Sequence, residues 1–397
     1  MKAVILSDIH LGRYKYGKMD VDLGYDTRTQ DILNNVEQAI DYAVKQNVDM
    51  IIITGDFYHI KRPDQIFRRL LSQKIEKMLS FDIDVYLMLG NHDQGRTRAH
   101  DLVELVELST QIPNLHVIEK EEIFNIDKHC ATLCFFPHIN KIEMNIKKEE
   151  FHDYQIKHIN ALQQRSKASQ ADHKLFFGHF GTDASKIGNS IDLGYVSHGK
   201  AIPLKIFDEK VWTKVYLGDI HKQQELNSFC RHMGSIAKVD FGEEGEKKGF
   251  YFYENGRDEF IEVKDRNFMT IEADLTGDSI EQFNTLEEIV KIEPNLKYSI
   301  TRLKLTIKAI DKKVIPIDDL EKKLREKSWN YVGKVITEIH EDDKSEISVK
   351  EMSELDHMDI FSKYADGKKD EVKKDVHQII VDEGKKILDE VLNVEVK

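Results

Sequence analysis

The sequence predicts an α/β protein, on three observations. Short continuous apolar runs read as strands covered on both faces, amphipathic helical stretches lie between them, and run after run ends in Gly or Ser followed by Asp, His or Asn. Residues 4–6 form the first run. Ile32, Val36, Ile40, Ala43 and Val44 then recur at helical spacing. Residues 50–53, Met-Ile-Ile-Ile, are the second run. A second helical stripe, Ile66, Phe67, Leu70, Leu71, Ile75, Met78 and Leu79, leads into a third run at 85–89. From about residue 115 helices thin out, and 133–136, 175–177 and 215–217 read as strands. YFYENGRDEFIEV reads as a hairpin turning on Asn255 and Gly256.

Domain limits follow from the change of pattern. Residues 1–262 form the first domain and 263–340 a smaller strand-helix-strand-helix-strand unit. Its middle strand alternates Leu303, Leu305 and Ile307 against Arg302, Lys304, Thr306 and Lys308. Residues 341–354 are almost all polar and read as a linker. Residues 355–397 carry an apolar cluster, Leu355, Met358, Ile360, Phe361 and Tyr364, and a final helical stripe.

With 397 residues, 40% of them hydrophobic, the chain can fill two or three cores. It shows neither an apolar run of membrane-spanning length nor a leader pattern at its start, and a cytoplasmic location is expected. Three cysteines, Cys130, Cys134 and Cys230, lack paired metal spacing and read as small buried thiols. A net charge of -13 excludes holding nucleic acid by overall field, so any phosphate contact must be local.

The run endings carry the chemistry. SDIH places Asp8 and His10, GDF places Asp56, GNHD places Asn91 and His92, GHF places His179, and GDIH places Asp219 and His221. One Asp-x-His after a strand is more often a turn with a satisfied histidine. Functional residues gather at the carboxyl ends of strands in α/β sheets, however, and five such tips can converge. Asp, Asn and His without Cys suit manganese, iron, zinc or magnesium, and a dinuclear centre stabilises both the attacking and the departing oxygen in phosphoryl chemistry.

In order, the blocks DIH, GD, GNHD, GH and GDIH resemble the calcineurin-like metallophosphoesterase pattern. DIHLG, GDFYHIKRP and MGSIAKVDFGEEGEKKGF resemble, more narrowly, the SbcD family of DNA double-strand-break repair nucleases. That resemblance implies a layered α-β-β-α sandwich, a small α/β capping domain and C-terminal helices that bind an SbcC-type ATPase. It implies that Asp8, His10 and His221 hold one divalent metal, that Asn91, His179 and Asp219 hold another, and that Asp56 bridges them. His92 matches the family's catalytic histidine. Two positions depart from the family. Asp219 stands where histidine is usual, so either an unlike ligand is substituted or one metal loses a donor; as a ligand it is a third carboxylate, which tilts the site toward manganese or magnesium over zinc. His59 stands where an acidic residue is more common and reads as a neighbour of the site or a surface group. His129, His138, His152, His158 and His198 match no block and have plain polar or packing roles as the default.

Lys61, Arg62, Arg96 and Arg98 flank two of the blocks and are candidates for DNA phosphates, or else solvated loop charges. The basic face of Arg302, Lys304 and Lys308 is a weaker candidate. The stripe from Ile66 to Leu79 packs into its own domain or against a second copy, and the resemblance favours a homodimer within a heterotetramer with the ATPase. The apolar cluster beyond the linker is expected to bury itself on that partner. The expected function is a manganese-dependent nuclease, with double-stranded DNA exonuclease and single-strand endonuclease activity in end processing. The alternatives are a small-molecule phosphodiesterase or phosphatase, since the metal chemistry does not select the substrate, and a catalytically silent scaffold.

Overall fold

The structure, a computed structural model, describes residues 1–12, 16–94, 103–139, 147–186, 201–339 and 380–386. Arg96, Arg98, His198 and the cluster from Leu355 to Tyr364 lie outside them. By internal contact the chain divides into two units. One comprises Met1–Glu272, Glu288–Leu303 and Asp318–Val335, and the other Ala273–Glu287, Lys304–Ile317 and Ile336–Lys397.

The first unit is built on two six-stranded sheets. Strands are numbered in chain order: β1 Lys2–Leu6, β2 Met19–Asp20, β3 Tyr25–Asp26, β4 Met50–Thr54, β5 Asp84–Met88, β6 Leu115–Ile118, β7 Glu122–Ile126 and β8 Ala131–Phe136. Then follow β9 His173–His179, β10 Lys214–Gly218, β11 Gln224–Glu225, β12 Cys230–His232, β13 Gly249–Glu254 and β14 Arg257–Glu262. One sheet runs β14-β13-β1-β4-β5-β6 and the other β11-β12-β10-β9-β8-β7. β1, β4, β5 and β6 are mutually parallel, as are β8, β9, β10 and β12, so the carboxyl ends of each set lie at one edge of its sheet.

The apolar runs resolve into two faces of each strand. Ala3, Ile5, Met50, Ile52, Tyr86 and Met88 of one sheet share a core with Leu133, Phe135, Leu175, Phe177 and Tyr216 of the other. The intervening residues Val4, Leu6, Ile51 and Ile53 pack instead with helix α1, Thr27–Gln46, and helix α2, Gln65–Leu79. Cys134, Phe136, Phe176 and Val215 pack with Ile159 and Leu162 of a helix at Lys148–Lys167. Three cores between four layers make an α-β-β-α sandwich, and each wholly buried Ile or Phe contributes about 1.5–3 kcal/mol to it.

The helix Lys148–Lys167 falls in a region expected to be poor in helices. Its inward stripe mixes Phe151, Ile159 and Leu162 with buried Gln155, Gln163 and Ser166, which dilutes the periodicity. Of these polar members Gln163 is tied in by its Oε1, which accepts from Trp212 Nε1 at 2.8 Å and from the Asp208 amide at 3.0 Å. The stripe of α2 also resolves one alternative. Phe67, Leu70, Leu71, Ile75 and Met78 are buried in the chain's own core, so their spacing gives no reason to invoke a second copy. Cys134 and Cys230 are buried thiols as expected, whereas Cys130 is exposed in a left-handed turn.

The hairpin forms as read: Glu254 pairs with Arg257, and Asn255 (φ 48) and Gly256 (φ 89) take the positive φ of a type I′ turn. Strands Asn267–Leu275, Ser299–Lys308 and Asn330–Ile339 form a three-stranded sheet in that order, and Leu303, Leu305 and Ile307 are buried. Arg302 does not belong to an open basic face: its Nε donates to Thr270 Oγ1 and its guanidinium lies 4.3 Å from the Phe241 ring centre. Among the described residues no helix is long and apolar enough to cross a membrane.

Candidate metal centre

Five strand tips meet at one pocket. Asp8 follows β1, Asp56 follows β4, Asn91 follows β5, His179 ends β9 and Asp219 follows β10. The loops interlock through their backbones, the Asp8 amide donating to Gly55 O at 3.1 Å and the His10 amide to Asp56 O at 2.9 Å. Asp8, His10, Asp56 and Asp219 all have positive φ, between 50 and 79°, a conformation uncommon outside glycine that Asp and His take more readily than most residues. The glycines are needed for another reason. A Cβ on Gly90 would collide with the Asp56 carboxylate, one on Gly55 would lie 2.5 Å from His179 Nδ1, and one on Gly218 2.7 Å from the same atom.

Three groups of donor atoms each lie within 4.8 Å of one another: Asp8, His10 and His221; His10, Asp56 and His92; and Asp8, Asp56 and His179. Asp56 Oδ2 is 3.6 Å from His10 Nε2, and its Oδ1 is 3.4 Å from His179 Nε2. Asp219 lies outside the three groups, with Oδ1 3.7 Å from His179 Nε2 and its amide donating to the Asp8 carboxylate at 3.2 Å. His92 is half-buried, its ring centre 4.9 Å from that of His10. Its Nδ1 donates to the His59 carbonyl at 2.8 Å and its amide donates to Asp56 Oδ1 at 2.8 Å.

The donor set fits a cation. His179 Nδ1 lies 2.7 Å from Thr54 O, and a carbonyl only accepts, so a proton sits on Nδ1 and Nε2 faces the pocket. The Asn91 side-chain amide stands 3.1 Å from that same Nε2 with both Asp56 oxygens beside it, and with its nitrogen turned toward them it donates to all three. Carboxylates, an amide and imidazole nitrogens gathered round one space are a donor set that a divalent ion accepts. Burial disfavours charge on His179, but Asp56, Asp8 and Asp219 outweigh it and hold the imidazole well above its ordinary pKa. Burial likewise raises Asp56, yet His179, His10 and His92 bring its carboxyl below the usual range.

Two supports escaped sequence reasoning. Asp93, last residue of the GNHD block, is fully buried and accepts from the amides of Asp56 (2.8 Å), Phe57 (2.9 Å) and Gly90 (2.8 Å), tying two site loops together. Burial, with Asp56 close by, pushes its carboxyl up to about 7. Glu243 accepts from His221 Nδ1 at 2.8 Å. Burial opposes charge on that imidazole, but Glu243 raises it to about 9. Asp93 lies in the GNHD block, where Asn91 and His92 drew the assignment.

The remaining candidates are dispersed. Lys61 and Arg62 are exposed on the loop between β4 and α2. His59 lies beside the pocket, 5.9 Å between ring centres from His10, and burial with the neighbouring imidazoles lowers it to about 4. His158 pairs with Glu121 at 2.9 Å and His129 lies 3.7 Å from Asp49, both away from the pocket. The His138 amide donates to Leu89 O and its carbonyl accepts from Gln94.

The profile described as Calcineurin-like phosphoesterase matches residues 1–223. Among curated relatives, the SbcD component of the nuclease SbcCD from Staphylococcus epidermidis is 26% identical over 262 residues, 63% of this chain and 65% of that one. The DNA double-strand break repair protein Mre11 of Methanocaldococcus jannaschii is 25% identical over 287 residues, 68% of this chain and 69% of the relative. Mre11 of Sulfolobus acidocaldarius is 22% identical over 157 residues, 38% and 37%. The chain thus spans less than two thirds of the length of the staphylococcal and Sulfolobus proteins.

Proposed function

The chain belongs to the calcineurin-like phosphoesterase family, and from that premise we propose that it is a metal-dependent DNA nuclease. It hydrolyses phosphodiester bonds as a double-stranded DNA exonuclease and single-strand endonuclease, and works with an SbcC-type ATPase in cytoplasmic DNA end processing. The observation that carries the reading is the convergence of Asp8, His10, Asp56, His92, His179 and His221 on one pocket. The relatives named for nuclease and break-repair roles favour DNA over a small phosphoester.

In this reading Asp8, His10 and His221 hold one divalent ion, Asn91, His179 and Asp219 hold the other, and Asp56 faces both. Manganese, with magnesium as the second choice for so oxygen-rich a set, supplies charge stabilisation to the attacking and departing oxygens. The chain's own part is orientation and proton transfer. His92 has Nδ1 committed to the His59 carbonyl, so Nε2 is the atom left to meet substrate and to give a proton to the departing oxygen. Lys61, Arg62, Arg96 and Arg98 steady the DNA phosphates. Residues 355–397, through Leu355, Met358, Ile360, Phe361 and Tyr364, bind the ATPase, and the active assembly is a homodimer within a heterotetramer.

End-labelled linear DNA incubated with manganese, with and without an SbcC-type partner, tests the proposal. The wild type is expected to cleave, and His92→Ala to keep its metal while losing about 10²- to 10⁴-fold in rate, the scale of a lost general acid. Hydrolysis of a chromogenic phosphodiester with linear DNA left intact would overturn the nuclease assignment in favour of a small-molecule phosphodiesterase.

A further inference from the structure

The motif GEEGEKKGF has no part in the chemistry so far, yet it packs against the metal pocket. Residues Phe241–Glu243 form a short 3-10 turn, capped by Asp240, whose side chain accepts from the Gly242 amide at 2.7 Å. The turn points the buried Glu243 carboxylate at His221. Glu243 Oε1 accepts from His221 Nδ1 at 2.8 Å, and Oε2 accepts from the Val239 amide at 3.0 Å and forms an ion pair with Lys248 Nζ at 2.8 Å. Lys248 is buried as well, and its ammonium has two further partners: the His221 carbonyl at 2.8 Å and Glu246 Oε2 at 3.0 Å. Glu243 and Lys248 therefore close a ring on a single residue, one holding the imidazole and the other the backbone of His221.

We infer that Glu243, locked by Lys248, is the positioning residue that fixes the tautomer and ring plane of His221 and so presents Nε2 to one of the two metal ions. The inference rests on the dinuclear reading above and deepens it. Outer partners of ligating histidines do this by accepting the second ring proton, and their loss weakens metal binding by about 10- to 100-fold.

The geometry makes an unusual ordering of variants. In Glu243→Gln the position of Oε2 still faces two donors, the Val239 amide and Lys248, so the glutamine oxygen must take it. The glutamine NH2 then faces His221 Nδ1, which has to accept. That puts the imidazole proton on Nε2, the ligating atom. Glu243→Ala leaves the ring free to choose its tautomer. The near-isosteric glutamine is thus the more damaging change for metal, whereas a role in packing or charge alone would rank alanine as worse.

The experiment is a manganese titration of the full chain and both variants, read as ions bound per chain and as affinity, with thermal unfolding in parallel. Expected is a wild type that binds two ions, with one of the two weakened about 10- to 100-fold in Glu243→Gln and less in Glu243→Ala. If the wild type binds fewer than two ions, the dinuclear reading fails. If it binds two and Glu243→Gln binds two with the same affinities, or Glu243→Ala is the worse, Glu243 does not set the tautomer. Histidine-labelled wild type loaded with cadmium gives an answer independent of the variants' folding. Its 15N spectrum is expected to show cadmium on Nε2 and the proton on Nδ1 of His221, and cadmium on Nδ1 would overturn the inference.

Discussion

The two ends of the pocket brace their histidines differently. His179 donates from Nδ1 to the Thr54 carbonyl, a backbone atom at the end of β4, so its orientation is fixed by the sheet itself. His221 donates from Nδ1 to Glu243, a side chain brought in from 22 residues further along and held by Lys248. A carbonyl brace survives side-chain substitution and yields only to a change in backbone packing. A carboxylate brace can be removed by one mutation, which makes the His221 end the adjustable one.

The largest expected effect removes the distinction altogether. Asp56 belongs to two of the three donor groups, one reaching His10 and the other His179, so Asp56→Ala disables both ends. Manganese binding should fall below two ions per chain and cleavage by about 10³-fold, the upper range for loss of a charge-stabilising group. Two ions retained in that variant would break the comparison. A smaller effect is expected where the backbone brace is crowded. Gly55 has φ +99, and a Cβ there would lie 2.5 Å from His179 Nδ1 and 2.8 Å from Gly90. Gly55→Ala should lower stability by about 1–3 kcal/mol in denaturant unfolding and weaken manganese binding. The smallest effect sharpens the contrast. Ser7 Oγ donates to the same Thr54 carbonyl at 3.2 Å, and Ser7→Ala removes that bond without touching the one from His179. A loss of about 1 kcal/mol is expected, with metal affinity within about twofold of wild type by titration.

What could be read from the sequence follows the same line. Strand tips were legible because a run covered on both faces, such as Met50–Thr54, stands out against helical periodicity, and because Gly55, Gly90 and Gly218 mark close approaches that leave no room for a Cβ. The donors at those tips were legible from their order along the chain. The supports were not. Glu243 and Lys248 sit in an acid- and lysine-rich stretch indistinguishable from a solvated loop, and only folding buries both. Asp93 sits beside Asn91 and His92, yet it turns away from the pocket to accept loop amides. The helix Lys148–Lys167 hid because Gln163 and Ser166 occupy inward positions that periodicity assigns to apolar residues.

The central claim is that separate strand tips cage two cations. Diffraction from manganese-soaked crystals, collected at the manganese absorption edge, tests it most directly. Two anomalous peaks are predicted, one against Asp8, His10 and His221 and one against Asn91, His179 and Asp219, with Asp56 between them. A single peak, or peaks away from these residues, would contradict the account.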